Sequence, residues 1–580
     1  MYLGRIALAA VVSAAGLAGA SSAQQAARPT FRVAADLVVV DLLATDREGR
    51  FVADLQPSHI TVLQDGKPQK IEFLRLVRGS GRTQTAAGPS PDAGSPSAGA
   101  SATADRDASA PAGPVSLAVV VDLYSTPPEA LSFVKEAITR MIAEELPAGS
   151  KVTLATLDDA LTVRQGMTAD MNAVRTTVQS LTQSGSAAPT LAQIIESADA
   201  LCETAASGVD RTPAFHQTMA MAKMVANESQ RRLKSAADSL GSLSTSLGGE
   251  SGRKHIVFYS AGYAINPAHA IIDVVAAANA SCAGVDLTAM RRRVAEELAP
   301  FAEFDAAPMM QQMVDRANRA QVAVYTVDSR GLASGNVQAR HRGSARMARG
   351  AQLQKAVQLE TTLPQEFLRS TAADTGGRSF LSTNDLASGM RRAWLDANEY
   401  YLIGYVPSST PKKGKFHRIE VKVARPDVDL RYRAGYYEAT DKEVATRDVE
   451  SALRTPAAFA HSGLEIDARV EGKMLRVTAF LPPTAVQFAP KDNTHLGEIT
   501  VHGTLHDGAG KLVGGKAIFG KDIGLRFTQA QIDGMRGSDN VEIPVEVEAP
   551  KPGTYLLTVV ARASGGWVGA RTTALAVSNR

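Results

Sequence analysis

The chain has 580 residues, enough for three or four domains of ordinary size. Its apolar fraction of 44% is normal for a globular protein, and its formal net charge of +3 is close to neutral for this length. A chain with no basic excess and only 5% aromatic residues is not expected to bind nucleic acid, because it can neither neutralise a polyanion nor stack bases.

The N-terminus has the layout of a secretory signal peptide. Arg5 precedes an apolar run from Ile6 to about Ala20, and small residues then precede a cleavage site after about Ala23. The alternative is a membrane anchor, but the run is short and rich in Ala and Gly. We therefore predict a signal peptide over residues 1–23 and an exported protein, periplasmic or extracellular. No later segment has the ~18 consecutive apolar residues of a transmembrane helix, so none is expected in the mature chain.

A β segment and a linker follow. Residues 31–77 alternate between apolar and polar residues, as in "FRVAADLVVVDLLATD", with turns at "REGR" and "QDGKPQ". Residues 78–114 are almost entirely Gly, Ser, Ala, Pro, Thr and Asp. Such a stretch cannot bury enough apolar surface to offset its ordering entropy, so it is predicted to be a disordered linker.

From residue 115 to residue 397 strands alternate with helices. The apolar runs "VSLAVVVDLY", "KHIVFYSAGY" and "QVAVYTVDSRG" indicate strands buried on both faces, and "SKVTLATLDD" and "ALTVRQGMT" indicate two more. Asp170 is the expected N-cap of a short helix, and a long helical region is expected from Thr190 to Leu247. The pattern predicts an α/β domain with an open, mainly parallel sheet covered by helices on both faces.

The remainder of the chain returns to β structure. Residues 398–440 contain three strand-like stretches, beginning with "EYYLIGYVPS". Neither this segment nor 31–77 is long enough for a good core alone, so we predict that they pair into one β domain with the α/β domain inserted between them. Residues 446–580 contain seven short strand patterns separated by polar turns, which suggests an immunoglobulin-like β-sandwich.

The loop after the first α/β strand is the strongest candidate site. In an open α/β sheet, ligands bind at the carboxyl ends of the central strands, where the strand order reverses. The stretch "AVVVDLYST" places Asp122 at the end of that strand and two hydroxyl residues just after it. Hard oxygen ligands of this kind suit Mg²⁺. The loop is either a metal site or what remains of one.

The strand and helix order over 115–397 resembles a von Willebrand factor A domain. The flanks "VDLLATDREGRFVADLQPSHITVLQDGKPQKI" and "YYLIGYVPSS…KFHRIEVKVARPDVDLRYRAGYY" look like those of the acidobacterial "VWFA-related" family. Together these resemblances cover roughly 31–77 and 115–437. They imply an exported protein with a Rossmann-like module in the strand order 3-2-1-4-5, and they imply no particular ligand.

The resemblance also implies a metal site, from which this loop departs. Asp122 matches the first ligand, and Thr126 and Thr190 are plausible matches for two hydroxyl ligands. Tyr124 stands where a Ser is expected, and Ala261 stands where an Asp is expected. We therefore expect a weak or vestigial site, with no cofactor beyond weakly held Mg²⁺.

Two other roles for these aspartates remain open. Asp122 could cap the following helix or bond to loop backbone, in which case replacing it by Ala would cost roughly 1 kcal/mol. Alternatively, Asp158 or Asp159 after the second strand and Asp328 after the fifth strand could join Asp122 in a displaced acidic site. Aspartates that end strands are also common turn residues.

The chain has two cysteines, Cys202 and Cys282. In an oxidising compartment an even pair favours a disulfide, which would stabilise the fold by roughly 4 kcal/mol. The alternative is two buried thiols, and two cysteines alone cannot complete a four-ligand zinc site.

Two further patterns have ordinary explanations. "GKLVGGKA" has the glycines and lysine of a phosphate loop, but it lacks the required hydroxyl and lies between strands, so we interpret it as a turn. In the long helical region, Phe215, Met219, Met224 and Leu233 recur at roughly helical spacing. They are expected to form core, the alternative being a Met-rich surface for a partner.

These features favour a non-enzymatic binding or adhesion protein that recognises a protein or a cell-surface ligand. The alternative is a periplasmic assembly or regulatory factor that engages a partner complex. An enzyme of unrecognised type comes third, because catalytic groups assembled from distant loops leave no local motif.

Overall fold

The architecture is that of a computed structural model. It describes residues 37–78, 82–85, 115–183, 191, 193–195, 212–248, 254–283, 286–332, 347–408, 415–437, 441–536 and 540–578.

The two segments that flank the α/β region share their sheets. The strands before it are β1 (Val38–Thr45), β2 (Ile60–Gln64), β3 (Lys67–Gln69), β4 (Ile71–Arg78) and β5 (Arg82–Thr85). The strands after it are β12 (Glu399–Tyr405), β13 (Phe416–Val423), β14 (Asp429–Arg431) and β15 (Gly435–Tyr437). The sheet orders are β14-β1-β12-β4-β5 and β15-β13-β2-β3. Antiparallel pairs β1–β12, β12–β4 and β13–β2 join strands that lie more than 300 residues apart in the chain.

The α/β unit lies between these segments in the chain. Its strands are β6 (Ser116–Asp122), β7 (Lys151–Leu157), β8 (Leu161–Thr168), β9 (Lys254–Ser260), β10 (Val322–Asp328) and β11 (Ser379–Phe380). Its helices are α1 (Pro128–Glu144), α2 (Met171–Ser180), α3 (Thr212–Leu247), α4 (Ala268–Ala283), α5 (Leu287–Ala302), α6 (Ala307–Arg319), α7 (Met347–Asp374) and α8 (Ser388–Asn398).

The sheet of this unit has the order β11-β10-β9-β6-β7-β8. All of its neighbouring strands are parallel except β7 and β8, which are antiparallel. Counted from β6, the order 3-2-1-4-5 expected from the sequence is confirmed. Asp170 is confirmed as the N-cap of α2, because its carboxylate accepts from the backbone N–H groups of Asn172 and Ala173.

Both faces of this sheet are buried, as the continuous apolar runs predict. Alternate residues of β6 face opposite ways: Leu117 and Val119 belong to one apolar cluster, and Ala118 and Val120 belong to the other. Helices α1, α2 and α8 pack on the first face, and α3, α6 and α7 on the second. The sheet is therefore rigid, and it fixes where each strand ends.

The C-terminal unit has two sheets that share one core. Helix α9 (Asp441–Arg454) leads into it. Its strands are β16 (Glu465–Glu471), β17 (Met474–Leu481), β18 (Ala489–Lys491), β19 (Thr494–Asp507), β20 (Phe519–Phe527), β21 (Val541–Glu548), β22 (Gly553–Ala563) and β23 (Val568–Val577), and helix α10 (Gln529–Arg536) follows β20. One sheet is β16-β17-β21, and the other is β18-β19-β22-β23 with β20 paired to β19. Apolar residues of both sheets form a common cluster.

Two boundaries differ from the sequence expectation. The linker was expected from residue 78, but Arg82–Thr85 forms β5 and pairs with β4, and Arg78 belongs to β4. The "RTQT" of β5 has no apolar alternation, so only its partner strand could reveal it. Helix α9 was also not predicted; it is polar on most of its surface.

Two smaller expectations were correct in part. The residues Val513–Gly515 form a short 3-10 turn between β19 and β20, as expected for "GKLVGGKA". In α3, Phe215, Met219 and Leu233 are buried in the core, whereas Met224 is 55% exposed. No helix among the described residues is long and apolar enough to cross a membrane.

Candidate functional site at the carboxyl edge of the parallel sheet

Asp122 ends the central strand β6 and lies at the carboxyl edge of the sheet, as the sequence predicts. Its neighbours β7 and β9 run parallel to it, so the loops that follow Leu157 and Ser260 open at the same edge. Asp122 itself is fully buried, with 0% of its surface exposed. A buried carboxylate has to be satisfied by protein groups, and the surroundings of Asp122 show which ones.

Five donors surround the carboxylate of Asp122. Its Oδ1 accepts from the backbone N–H groups of Tyr124 at 3.1 Å and Ser125 at 3.0 Å. Its Oδ2 accepts from the hydroxyls of Ser125 at 2.5 Å, Ser260 at 2.7 Å and Tyr263 at 2.5 Å. An ionised carboxylate has about four lone-pair positions, so these donors occupy the acceptor capacity of Asp122.

The hydroxyl groups are held in place by a further layer of hydrogen bonds. The backbone N–H of Ala261 donates to Ser125 Oγ at 2.9 Å, and that of Gly262 donates to Ser260 Oγ at 2.9 Å. Burial, together with the charge of Asp122, raises the pKa of the Tyr263 phenol well above its ordinary value. Tyr263 therefore stays protonated and remains a donor to Asp122 at all physiological pH values.

Thr126 and Thr190 are the two hydroxyl residues expected from the sequence beside Asp122. Thr126 is buried, and its Oγ1 donates to Ser329 Oγ at 2.9 Å rather than facing Asp122. Its backbone oxygen accepts from Gln183 at 3.2 Å. Thr190 lies outside the described residues. The structure thus brings Thr126 to the edge but engages its hydroxyl with the loop after β10.

A group of charged side chains covers this edge from the side of α3. We call Tyr124, Asp159, Glu228, Arg231 and Arg232 the Glu228 patch. Glu228 accepts from Arg231 Nε at 2.8 Å, from Arg232 Nε at 2.6 Å and from the Tyr124 hydroxyl at 3.0 Å. Arg232 also stacks on the Tyr124 ring, and Arg231 reaches Asp159 at 3.3 Å.

These contacts fix the charge states within the Glu228 patch. The hydrogen bond from Arg231, followed by those from Arg232 and Tyr124, lowers the pKa of Glu228 to about 2. Burial raises the pKa of Tyr124 to about 12. Glu228 is therefore ionised and Tyr124 neutral at physiological pH, so the patch is a fixed network of charges rather than an acid–base pair.

The three other strand-end aspartates do not join Asp122. Asp328 is buried and is held by Arg330, whose Nε lies 2.9 Å from Oδ1 and whose Nη2 lies 2.8 Å from Oδ2. Asp158 is partly exposed and lies 3.8 Å from Arg164. The side chain of Asp159 is 80% exposed and belongs to the Glu228 patch. The displaced acidic site considered from the sequence is therefore not assembled among these residues, because each carboxylate has a cation of its own or lies out in solvent.

The oxygen atoms around Asp122 are not arranged as ligands of a Mg²⁺ ion. Magnesium requires oxygen ligands with lone pairs directed at one point, and those of Asp122 are directed at five protein donors. Within the described ranges, no group of three or more His, Cys, Asp or Glu side chains is placed to hold a metal ion.

Sequence reasoning noted Ser125 as a hydroxyl residue after Asp122 but gave it no role, and it missed Ser260 and Tyr263. Ser125 lies one residue out of step with the hydroxyl spacing expected in the loop, and Tyr263 lies three residues beyond the end of β9. One signal was present: "DLYSTP" and "YSAGY" both place a hydroxyl residue where a strand ends at this edge. Of the cysteines, Cys202 lies outside the described residues, so its bridge to Cys282 stays a prediction.

No family model and no curated protein matches this chain. Similar solved structures include an aerotolerance-related membrane protein from Bacteroides fragilis NCTC 9343, which is 11% identical, spans 48% of this chain and 95% of its own, and has a TM-score of 0.21. The conserved hypothetical protein BatB from Bacteroides thetaiotaomicron is 11% identical over 48% of this chain and 95% of its own, with a TM-score of 0.22. The vWF domain of the type V pili tip protein Mfa5 from Porphyromonas gingivalis is 12% identical over 49% of this chain and 94% of its own, with a TM-score of 0.20. At identities and TM-scores this low, the function of the chain has to be inferred from its own residues.

Proposed function

We propose that the chain is an exported, non-catalytic binding protein whose α/β unit engages a protein or cell-surface partner without a metal ion. One observation carries this proposal: the carboxylate at the ligand-binding edge of the sheet, Asp122, is buried and held by five protein donors. A group in that state is neither a nucleophile nor an open metal ligand. Its role is to hold the loops of the edge in one conformation.

The fold assignment supports a binding role. The sheet order β11-β10-β9-β6-β7-β8, with β6 at its centre, supports a von Willebrand A-like module with a degenerate metal site. In the C-terminal unit, the three strands β16-β17-β21 share a core with the five strands of the β18-β19-β22-β23 sheet and β20, one strand more than the seven expected, and this arrangement of two packed sheets supports an immunoglobulin-like sandwich. Modules of these kinds commonly serve as recognition surfaces on folds that host many functions, so the site rather than the fold has to identify the surface.

The Glu228 patch is the surface proposed to contact the partner. Arg231 and Asp159 are 46% and 80% exposed at their side chains, and Tyr124 lies half-buried beneath Arg232. Leu332, which follows β10 at the same edge, is 54% exposed. Arg and aromatic side chains that are held in one conformation are favoured in protein interfaces, because little side-chain entropy is lost when such groups bind.

Export is proposed from the N-terminal sequence, in which a charged residue, an apolar run and small residues follow one another over residues 1–23. An exported binding module meets partners at the cell surface or in the periplasm.

Affinity capture from a cell-envelope extract tests the proposal. The bait is the full chain, compared with Arg231→Ala and with the matched control Arg292→Ala, whose side chain is 83% exposed on α5. Each capture is run with and without EDTA. We expect a defined partner that is retained in EDTA and by Arg292→Ala, and that is depleted about tenfold or more by Arg231→Ala, since a charged contact contributes ~1.5–3 kcal/mol.

Loss of the partner in EDTA would contradict metal-independent binding. A partner captured equally by Arg231→Ala would contradict the assignment of the Glu228 patch. A surface polymer or adhesion receptor among the captured molecules identifies an adhesion protein. A defined periplasmic complex identifies an assembly or regulatory factor instead.

A further inference from the structure

A cleft lies at the junction of the α/β unit, helix α9 and the C-terminal sheets, and most of its lining residues are far along the chain from Asp122. Its walls come from the end of α3, from α6, from α9 and from the turn between β22 and β23. Its volume is about 370 Å³. That volume is within the range of small-molecule sites in proteins, ~300–1,000 Å³.

Arginines dominate the walls of this cleft. Five of them line it, and we call the site the arginine cleft: Arg316, Arg319, Arg447, Arg454 and Arg562. Three carboxylates line it as well: Asp315, Asp448 and Glu450. The lining side chains thus carry two more positive than negative charges.

The three carboxylates are already engaged. Asp315 pairs with Arg319 and lies 3.8 Å from Arg447, so two guanidinium groups share one acceptor. Asp448 lies 3.1 Å from Arg562. Each of these pairs is at least partly buried, and Asp315 is 4% exposed at its side chain. Asp315 and Asp448 are therefore both already in ion pairs with arginines of the cleft.

The fourth pair is loose, and it does not extend to Arg316. Glu450 lies 4.0 Å from Arg454, and both side chains are 59% exposed. None of the ion pairs formed by the cleft's carboxylates includes Arg316.

Arg316 is the side chain in this cleft whose guanidinium would bind an anion. Burial, together with the charges of Arg454 and Arg447, lowers the pKa of Arg316 below the ordinary value, against the opposing effect of the charges of Asp238 and Asp448. The ion pairs within 4 Å among the described cleft residues do not include Arg316, and its planar fork matches the oxygens of phosphate and carboxylate groups.

The turn between β22 and β23 completes the cleft on the opposite side. Gly565 and Gly566 both have positive φ, at +93° and +89°, and they form this wall without side chains. Gly565 packs against the side chain of Gln487, whereas nothing lies within 4 Å of where a Cβ of Gly566 would stand, so a ligand can approach the backbone closely at Gly566. The same wall carries Arg562, so the C-terminal unit contributes both a cation and open backbone to the cleft.

We propose that the arginine cleft binds a small oxyanionic ligand, one that bears phosphate or carboxylate groups, and that the bound anion joins the C-terminal unit to the α/β unit. The excess of two positive charges, the unpaired guanidinium of Arg316 and the cavity of about 370 Å³ define the site. The ligand would contact α6, α9 and the β22–β23 turn together, so its binding stabilises their packing.

Titration calorimetry of the full chain tests this site with two probes, inorganic phosphate and citrate, each against chloride at the same ionic strength. Phosphate and citrate separate a phosphate-bearing ligand from a carboxylate-bearing one. We expect saturable binding of at least one probe and a rise in melting temperature with its concentration, since a ligand that binds only the folded state stabilises it. Affinity is expected to fall as NaCl is added, because salt screens the partly exposed charges.

The variants are Arg316→Met and Arg454→Gln, with Arg292→Gln as the matched control. Arg454 is 59% exposed, so its replacement leaves the fold intact, and Arg316→Met removes a desolvated, unpaired charge while retaining an apolar stem. Each cleft variant is expected to weaken the probe about tenfold or more, and the control by less than twofold. Absence of saturable binding by both probes would overturn the proposal, as would equal binding by wild type and both cleft variants.

Discussion

At the scale of single residues, Asp122 holds its surroundings together by accepting hydrogen bonds, and its carboxylate is not open to a ligand. Its position could be predicted, because a polar residue that ends a buried central strand has to lie at the carboxyl edge. Its partners could not, because Tyr263 reaches it from a loop whose path depends on tertiary packing. The sequence therefore placed Asp122 at this edge but underestimated how completely protein groups surround its carboxylate.

Replacement of Asp122 by Ala should cost about 3 kcal/mol of unfolding free energy. This exceeds the roughly 1 kcal/mol expected for a lost helix cap, because three hydroxyls and two backbone N–H groups lose a buried acceptor. Urea denaturation measures the difference. Asp159→Ala, at an 80% exposed carboxylate, is the control and should stay within ~0.5 kcal/mol of wild type. A cost of 1 kcal/mol or less at Asp122 would mean that its hydrogen bonds are not formed in solution.

Glu228 should make stability depend on pH in acid. Its pKa is lower in the folded protein, about 2, than the ordinary value of 4.5. Its contribution is therefore complete above pH 4.5 and is lost as the pH falls from there toward 2. Because solvent screens this partly exposed group, the loss should be only ~1 kcal/mol. Denaturation midpoints at pH 6 and pH 3 measure it, and Glu228→Gln should show a smaller drop. An equal drop in the variant would assign the acid sensitivity to other carboxylates.

At the scale of elements, a strand could be predicted where its own sequence has a strong apolar pattern. A strand was missed where only its pairing with a neighbouring strand defines it. The apolar run of β6 and the alternation of β17 are strong signals. β5 is polar throughout and is defined by its register with β4. The loop after β9 is similar, because it packs against α7 at Pro364 and Phe367, which lie about 100 residues further along the chain.

Gly262 should be irreplaceable in that loop. Its φ is +83°, and a Cβ added there would lie 2.2 Å from the backbone oxygen of Pro364 in α7. Gly262→Ala is expected to destabilise the protein by about 3 kcal/mol, since both the backbone conformation and the clash oppose it. Gly472→Ala is the matched control: its φ is +61° with nothing within 4 Å, so only ~1 kcal/mol is expected. Similar losses in calorimetric stability for both variants would show that the α7 contact yields at little cost.

At the scale of the whole molecule, the three units form one connected body. The pairing of the flanking segments could be predicted, because neither could bury a core alone. The docking of the C-terminal unit could not, since it depends on a polar helix and a short 3-10 stretch, Pro456–Ser462, in which Phe459 is the one large apolar side chain. Phe459 in that stretch is fully buried in a cluster that contains residues of α3 and of β22 and β23.

Replacement of Phe459 by Ala should uncouple the C-terminal unit. The lost apolar contacts and the resulting cavity should cost about 3–5 kcal/mol. Differential scanning calorimetry should show a second, earlier transition, because the continuous cluster between the units is broken. Phe133→Ala is the control, at a side chain 62% exposed on α1. A single transition at the wild-type temperature would show that Phe459 does not join the units.

The edge of the sheet should bind its partner without a metal ion, because protein hydrogen-bond donors already surround the carboxylate of Asp122. Titration calorimetry of the full chain with Mg²⁺ and then Mn²⁺ tests it most directly. The arrangement predicts no binding tighter than about millimolar, a free energy of ~4 kcal/mol or less. Micromolar binding of either ion, abolished by Asp122→Asn, would contradict the claim and would show that Asp122 exchanges its hydroxyl donors for a cation.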